Sequence, residues 1–175
     1  AERSAEHANN GYGQVNPRSG ALGRYQFLAS TLMDLGLKDA TGAWTERAAV
    51  RSDAEFLASP QAQEAAFTAF LRRVEHQVER NGALARQGGA VRGLDGTEVP
   101  LTEAGMMAAA HRRGAGMLAR YLQHRSETPD APLRPAQRRA FEAVERRLRD
   151  FADVAYASVR APPRVPAAPL LALQQ

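Results

Sequence analysis

An aromatic face and a side-chain amide stand side by side at Tyr25 and Gln26, directly after the loop Val15-Asn16-Pro17-Arg18-Ser19-Gly20-Ala21-Leu22-Gly23-Arg24. A tyrosine ring offers an apolar face for stacking and a polar tip, and an amide both donates and accepts hydrogen bonds. Gly20 and Gly23 permit turns closed to other residues and leave space for a bulky ligand beside the backbone. The loop reads as the border of a glycan cleft. A second stretch, Ala108-Ala109-Ala110-His111-Arg112-Arg113-Gly114-Ala115-Gly116, repeats the scheme: a helix of small residues breaks at a Gly-x-Gly turn and another helix follows. His111 stands at that break, where an imidazole can donate a hydrogen bond.

Such residues need a scaffold, and the sequence predicts a mainly α one. Residues 1–26 read as loop apart from a helical turn at Ser4 to Ala8. From Tyr25 to Leu35 the positions Phe27, Leu28, Leu32 and Leu35 fit a helical stripe that Gly36 stops. Ser52 or Asp53 starts a short helix through Leu57. Ser59-Pro60 then opens a longer one, whose stripe Phe67, Phe70, Leu71, Val74, Val78 lasts to Asn81-Gly82. Residues 86–100 allow either a plain loop or a small hairpin turning at Asp95-Gly96. Thr102 caps a helix carrying Met106, Met107 and Ala110, with the methionines as core filler, and a further helix takes Met117, Leu118, Tyr121 and Leu122. A last long helix is expected from Pro135 to Val159, with Phe141, Val144, Leu148, Phe151 and Ala155 on one face. Its other face, where Arg138, Arg139, Arg146, Arg147 and Arg149 mix with Glu142, Glu145 and Asp150, reads as solvated and ion-paired. The remaining Pro/Ala-rich stretch, 161–175, is expected to be an extended tail.

Cutting a glycosidic bond needs an acid to protonate the leaving oxygen, and at neutral pH a carboxyl group stays protonated only where burial raises its pKa. The two motifs resemble those of the lysozyme-like lytic transglycosylases, phage-type and soluble members alike, over residues 6–125. The Phe56-Leu57-Ala58-Ser59-Pro60-Gln61-Ala62-Gln63-Glu64-Ala65 helix start is similar to phage-type members. The resemblance implies a lysozyme-like helical fold and cleavage of peptidoglycan by a single glutamate. That residue acts first as acid and then as base, drawing the proton from the muramic acid C6 hydroxyl, which closes a 1,6-anhydro ring. No second carboxylate of the hydrolytic kind is then required. Glu6, in Glu6-His7-Ala8-Asn9-Asn10-Gly11-Tyr12-Gly13-Gln14-Val15-Asn16-Pro17, matches the family's acid, with His7 where a serine is customary. Ser19, Tyr25 and Gln26 match cleft positions, and His111 falls where the family has a tyrosine that helps hold glutamate and sugar. Arg112 and Arg113 depart from the pattern and could pair with peptide-stem carboxylates.

Composition bounds the rest. The chain has 175 residues, 44% of them hydrophobic, enough for one globular domain. The resemblance implies a transglycosylase domain over 1–125; outside it, 126–160 read as a linker and amphipathic helix and 161–175 as the tail. Zero cysteines exclude disulfides, thiol nucleophiles and cysteine-ligated zinc. No metal-ligand spacing, phosphate loop or Ser-His-Asp set is present, so no cofactor and no metal are expected. No apolar run suits a transmembrane segment, and Ala1-Glu2-Arg3-Ser4 lacks a signal-like apolar core. The net charge of +4 favours acidic polymers. Nucleic acid is disfavoured, because acids are mixed among the arginines, and the resemblance implies peptidoglycan glycan strands as the partner. The expected setting is the periplasm, cell envelope or a virion, where wall opening lets a phage tail, secretion machine or flagellar rod pass. The alternative is a catalytically degenerate structural or adaptor subunit of a larger particle, docked through the C-terminal helix and tail.

Overall fold

The computed structural model describes residues 10–158. Glu6, the expected turn at Ser4 to Ala8 and the tail 161–175 lie outside the described residues. The protein is mainly α-helical with one small antiparallel sheet. Six α-helices are described: α1 (Ala29–Asp34), α2 (Asp53–Ala58), α3 (Pro60–Arg80), α4 (Glu103–Arg113), α5 (Ala115–Glu127) and α6 (Pro135–Asp150). Strands β1 (Ala90–Arg92) and β2 (Glu98–Pro100) pair antiparallel between α3 and α4, with Val91 opposite Val99. No helix among the described residues is long and apolar enough to cross a membrane.

Local chemistry accounts for most helix starts. The Ser52, Ser59 and Thr102 hydroxyls accept from the backbone N–H groups of Glu55, Ala62 and Gly105, satisfying donors that a helix start leaves open. At Gly114, φ is +86°, a conformation that stops α4 and launches α5. The hairpin forms with Asp95-Gly96 at its turn, where Asp95 Oδ1 accepts from the Thr97 N–H and hydroxyl.

Three expectations are corrected. The first helix begins at Ala29, not Tyr25, because Leu22 and Phe27 exchange both backbone hydrogen bonds at 2.9 Å across a tight turn. Gln26 takes φ +53° within that turn, and Leu28 is exposed rather than part of a buried stripe. The last helix stops at Asp150, nine residues before Val159, and the chain turns back so that the Tyr156 hydroxyl donates to the Glu75 carboxylate on α3. On α6 itself, Glu145 is not on a solvated face. It is 3% exposed and accepts from the Leu94 N–H at 2.7 Å and the Tyr121 hydroxyl at 2.9 Å.

Two apolar clusters build the interior. One packs Leu22, Phe27, Leu32, Leu35, Phe56 and Ala66 beneath the N-terminal loops, and the other packs α4, α5, α6 and β2 around Met106, Leu118, Tyr121 and Phe141. Helix α3 runs along both, and Phe70 touches each. Because α6 buries Phe141, Val144 and Leu148 there, it belongs to the main core. Gly105 permits this packing: a Cβ at that position would lie 2.8 Å from the Leu148 carbonyl oxygen.

Candidate functional site

A buried amide is one of the groups that hold residues 10–27 against α3. Gln63 Nε2 donates to the carbonyls of Tyr12 (3.0 Å) and Phe56 (2.9 Å), while its Oε1 accepts from the Arg24 N–H at 3.0 Å. Its side chain thereby meets its hydrogen-bonding demands in a fully buried place. Gly23, at φ +73°, passes so close that any Cβ would fall 2.1 Å from Gln63 Oε1. The glycine read from sequence as room for a ligand is required here by the protein's own packing.

One residue beyond Gln63, Glu64 reaches the outer side of the same loop. Its Oε1 accepts from the Tyr12 hydroxyl and from the Tyr25 hydroxyl at 2.7 Å. Arg24 Nη1 donates to the Tyr12 hydroxyl at 3.3 Å, and the guanidinium carbon lies 5.4 Å from the Tyr12 ring centre. The two phenols, with Arg24 nearby, hold the Glu64 carboxyl below its usual pKa, so it is ionised at neutral pH. Burial and the adjoining carboxylate push the Tyr25 phenol up to about 12.

The Tyr25 ring stacks on Phe67 with centres 4.0 Å apart and planes 3° from parallel. His111, at the end of α4, meets Phe67 edge-on at 6.1 Å and Phe70 at 5.3 Å. Partial desolvation lowers the His111 pKa, and the Arg112 and Arg147 charges lower it further. The imidazole is therefore neutral at pH 7, with one nitrogen to donate and one to accept. Phe67 and His111 also line a largely apolar cleft of about 540 Å³, together with Leu71, Met107, Phe151 and Tyr156. Arg112 and Arg147 bring positive charge to that lining.

Tyr25 and His111, distant in sequence, thus share one phenylalanine. Ser19 and Gln26 are placed differently. Asn16 Oδ1 accepts from the N–H groups of Arg18 and Ser19, and the exposed Ser19 hydroxyl accepts from the Ala21 N–H at 3.3 Å within the same turn. Gln26 Nε2 donates to the Gly23 carbonyl at 2.8 Å, which spends its amide N–H on closing the turn. Glu6 lies outside the described residues.

Sequence reasoning passed over Gln63 and Glu64 as ordinary helix residues. The available signal was spacing: Glu64 precedes Phe67 by three positions and so shares its helix face. Nothing local marks Gln63, whose partners come from other segments. Among the described residues, no group of three or more histidines, aspartates or glutamates could hold a metal ion. Comparison with protein-family models, with curated proteins and with solved structures finds no match to this chain.

Proposed function

We propose that this protein cleaves the glycan strands of peptidoglycan as a lysozyme-like lytic transglycosylase, acting at the cell envelope or as part of a virion. The observation that carries the reading is the shared Phe67. The first motif supplies Tyr25, stacked on that ring, and the second supplies His111, at its edge, so the two motifs meet at one side chain of the cleft lining. A neutral His111 suits a site where a sugar hydroxyl or a carboxyl group needs a hydrogen-bond partner.

Glu64 is excluded as the proton donor, because its two phenol partners stabilise the ionised form. The acid in this reading is Glu6, as the family pattern implies. Glu6 precedes Tyr12 by six positions, a span of at most about 22 Å. Having given its proton to the leaving glycosidic oxygen as the C1–oxygen bond breaks, the ionised Glu6 takes the proton of the muramic acid C6 hydroxyl, whose oxygen bonds to C1 as the 1,6-anhydro ring closes. Arg112 and Arg113, exposed at the end of α4, offer bidentate partners for stem carboxylates.

A Glu6→Gln variant nearly preserves shape while removing the proton. Clearing of purified sacculi is expected to fall by about 10²–10⁴-fold with an unchanged melting temperature. Clearing at the wild-type rate would remove Glu6 from the mechanism. A second reading, a non-cleaving adaptor subunit, is favoured by the arginines at 112 and 113, where the family has uncharged residues. It predicts stable association with a particle and no loss of sacculus turbidity.

A further inference from the structure

The clamp on Glu64 uses only half of that carboxylate. Oε1 takes both tyrosine hydroxyls, whereas Oε2 accepts no hydrogen bond among the described residues, and Glu64 is exposed on the surface of α3. A free glutamate loses rotamer freedom when it binds a ligand. Here that ordering is already complete, because Tyr12 and Tyr25 fix the group from two sides and Phe67 fixes Tyr25 in turn. What remains is a positioned, ionised acceptor bonded to Tyr25, whose ring stacks on Phe67 of the cleft lining.

We propose that Glu64 is a specificity-determining contact for an uncharged N-acetylhexosamine ring, its Oε2 accepting from a sugar hydroxyl or acetamido N–H beside Tyr12 and Tyr25. The proposal rests on the glycan reading of the cleft. Its chemistry follows from the inventory of groups. An ionised carboxylate only accepts hydrogen bonds, sugar hydroxyls and acetamides bring donors, and an anionic group in the same place would be repelled. The half-buried rings of Tyr12 and Tyr25 supply apolar surface beside the acceptor. Arg24, bonded to the Tyr12 hydroxyl, keeps that phenol oriented toward Glu64 and acts as a positioning residue.

The test separates this contact from a merely structural one. Binding of N-acetylglucosamine hexamer, and of glycan strands stripped of peptide, is measured by calorimetry on full-length Glu6→Gln protein with and without Glu64→Gln. The glutamine keeps an amide oxygen for the two phenols but replaces the second acceptor with a donor. Affinity for both probes is expected to fall about tenfold, with the melting temperature and hydrogen exchange of residues 10–26 unchanged. Equal affinity in the two proteins would overturn the assignment, as would a loss that appears only with faster exchange across that loop. If neither probe binds the parent, the sugar assignment fails as well. Binding without cleavage by the wild-type chain would instead overturn the proposed reaction and leave the Glu64 contact standing.

Discussion

Replacing Gly23 with alanine is expected to destabilise the protein by about 3 kcal/mol or more and to release the 10–27 loop from α3. Two costs combine. At φ +73° an alanine pays for a left-handed backbone that glycine adopts freely, about 1–2 kcal/mol. The larger cost is steric, since the new Cβ would sit 2.1 Å from Gln63 Oε1 and 2.6 Å from Gln63 Cδ. A flexible surface side chain would move aside. Gln63 cannot do so without giving up the carbonyls of Tyr12 and Phe56 and the N–H of Arg24, and each buried group left unpaired costs about 1–3 kcal/mol. Thermal unfolding followed by circular dichroism should show a melting temperature lowered by about 6–12 °C. In a Gln63→Ala background the same substitution should cost only its backbone share, which a double-mutant cycle resolves. Equal costs in the two backgrounds would refute the steric account.

Glu145→Ala is the second large effect, expected at about 3–5 kcal/mol. The Glu145 carboxylate joins three elements at a buried point: the Leu94 N–H from the hairpin, the Tyr121 hydroxyl from α5, and Arg149 Nη1 on its own helix at 3.5 Å. Removing it leaves a part-buried amide and a buried phenol without this acceptor. Burial and the Glu145 charge also raise the Tyr121 pKa, so that phenol stays a neutral donor. Arg149 extends the junction outward, its Nη2 donating to Asp95 Oδ1 at 3.1 Å and Thr97 Oγ1 at 2.6 Å. The Glu145→Gln variant keeps an acceptor oxygen and should lose clearly less, so urea midpoints must fall in the order wild type, Gln, Ala. Equal midpoints for the two variants would show that the acceptor oxygen does not matter. Hydrogen exchange in β1 and β2 should accelerate in Glu145→Ala.

These two sites mark where sequence reading stops. Signals carried within a few residues were legible: the serine and threonine caps of α2, α3 and α4 and the break at Gly114, whereas at Asp95-Gly96 the sequence allowed a hairpin or a plain loop and the β1–β2 pairing decides it. Interactions that join distant segments were not. Glu145 looks like any charged residue on a mixed helix face until Leu94, 51 positions earlier, is folded against it. Glu64 looks solvated until Tyr25, 39 positions earlier, arrives. The same limit governs the helix boundaries that moved. An apolar stripe from Phe27 to Leu35 fits a helix locally, but the Leu22 to Phe27 pairing takes the first residues into a turn. The end of α6 carries no glycine or proline, and the contact from Tyr156 to Glu75 accompanies the turn there. Of the candidate site, Tyr25 and His111 were legible as separate motifs, whereas Phe67, which unites them, read only as core.

The cleft that Phe67 and His111 line is where the functional account meets chemistry most directly. Wild-type protein incubated with purified sacculi, with the released fragments analysed by mass spectrometry before and after borohydride treatment, tests it. Fragments ending in 1,6-anhydromuramic acid have no reducible end, and the account predicts them as the main product, absent with Glu6→Gln. Fragments that borohydride reduces, or sacculi left intact by folded protein, would contradict it.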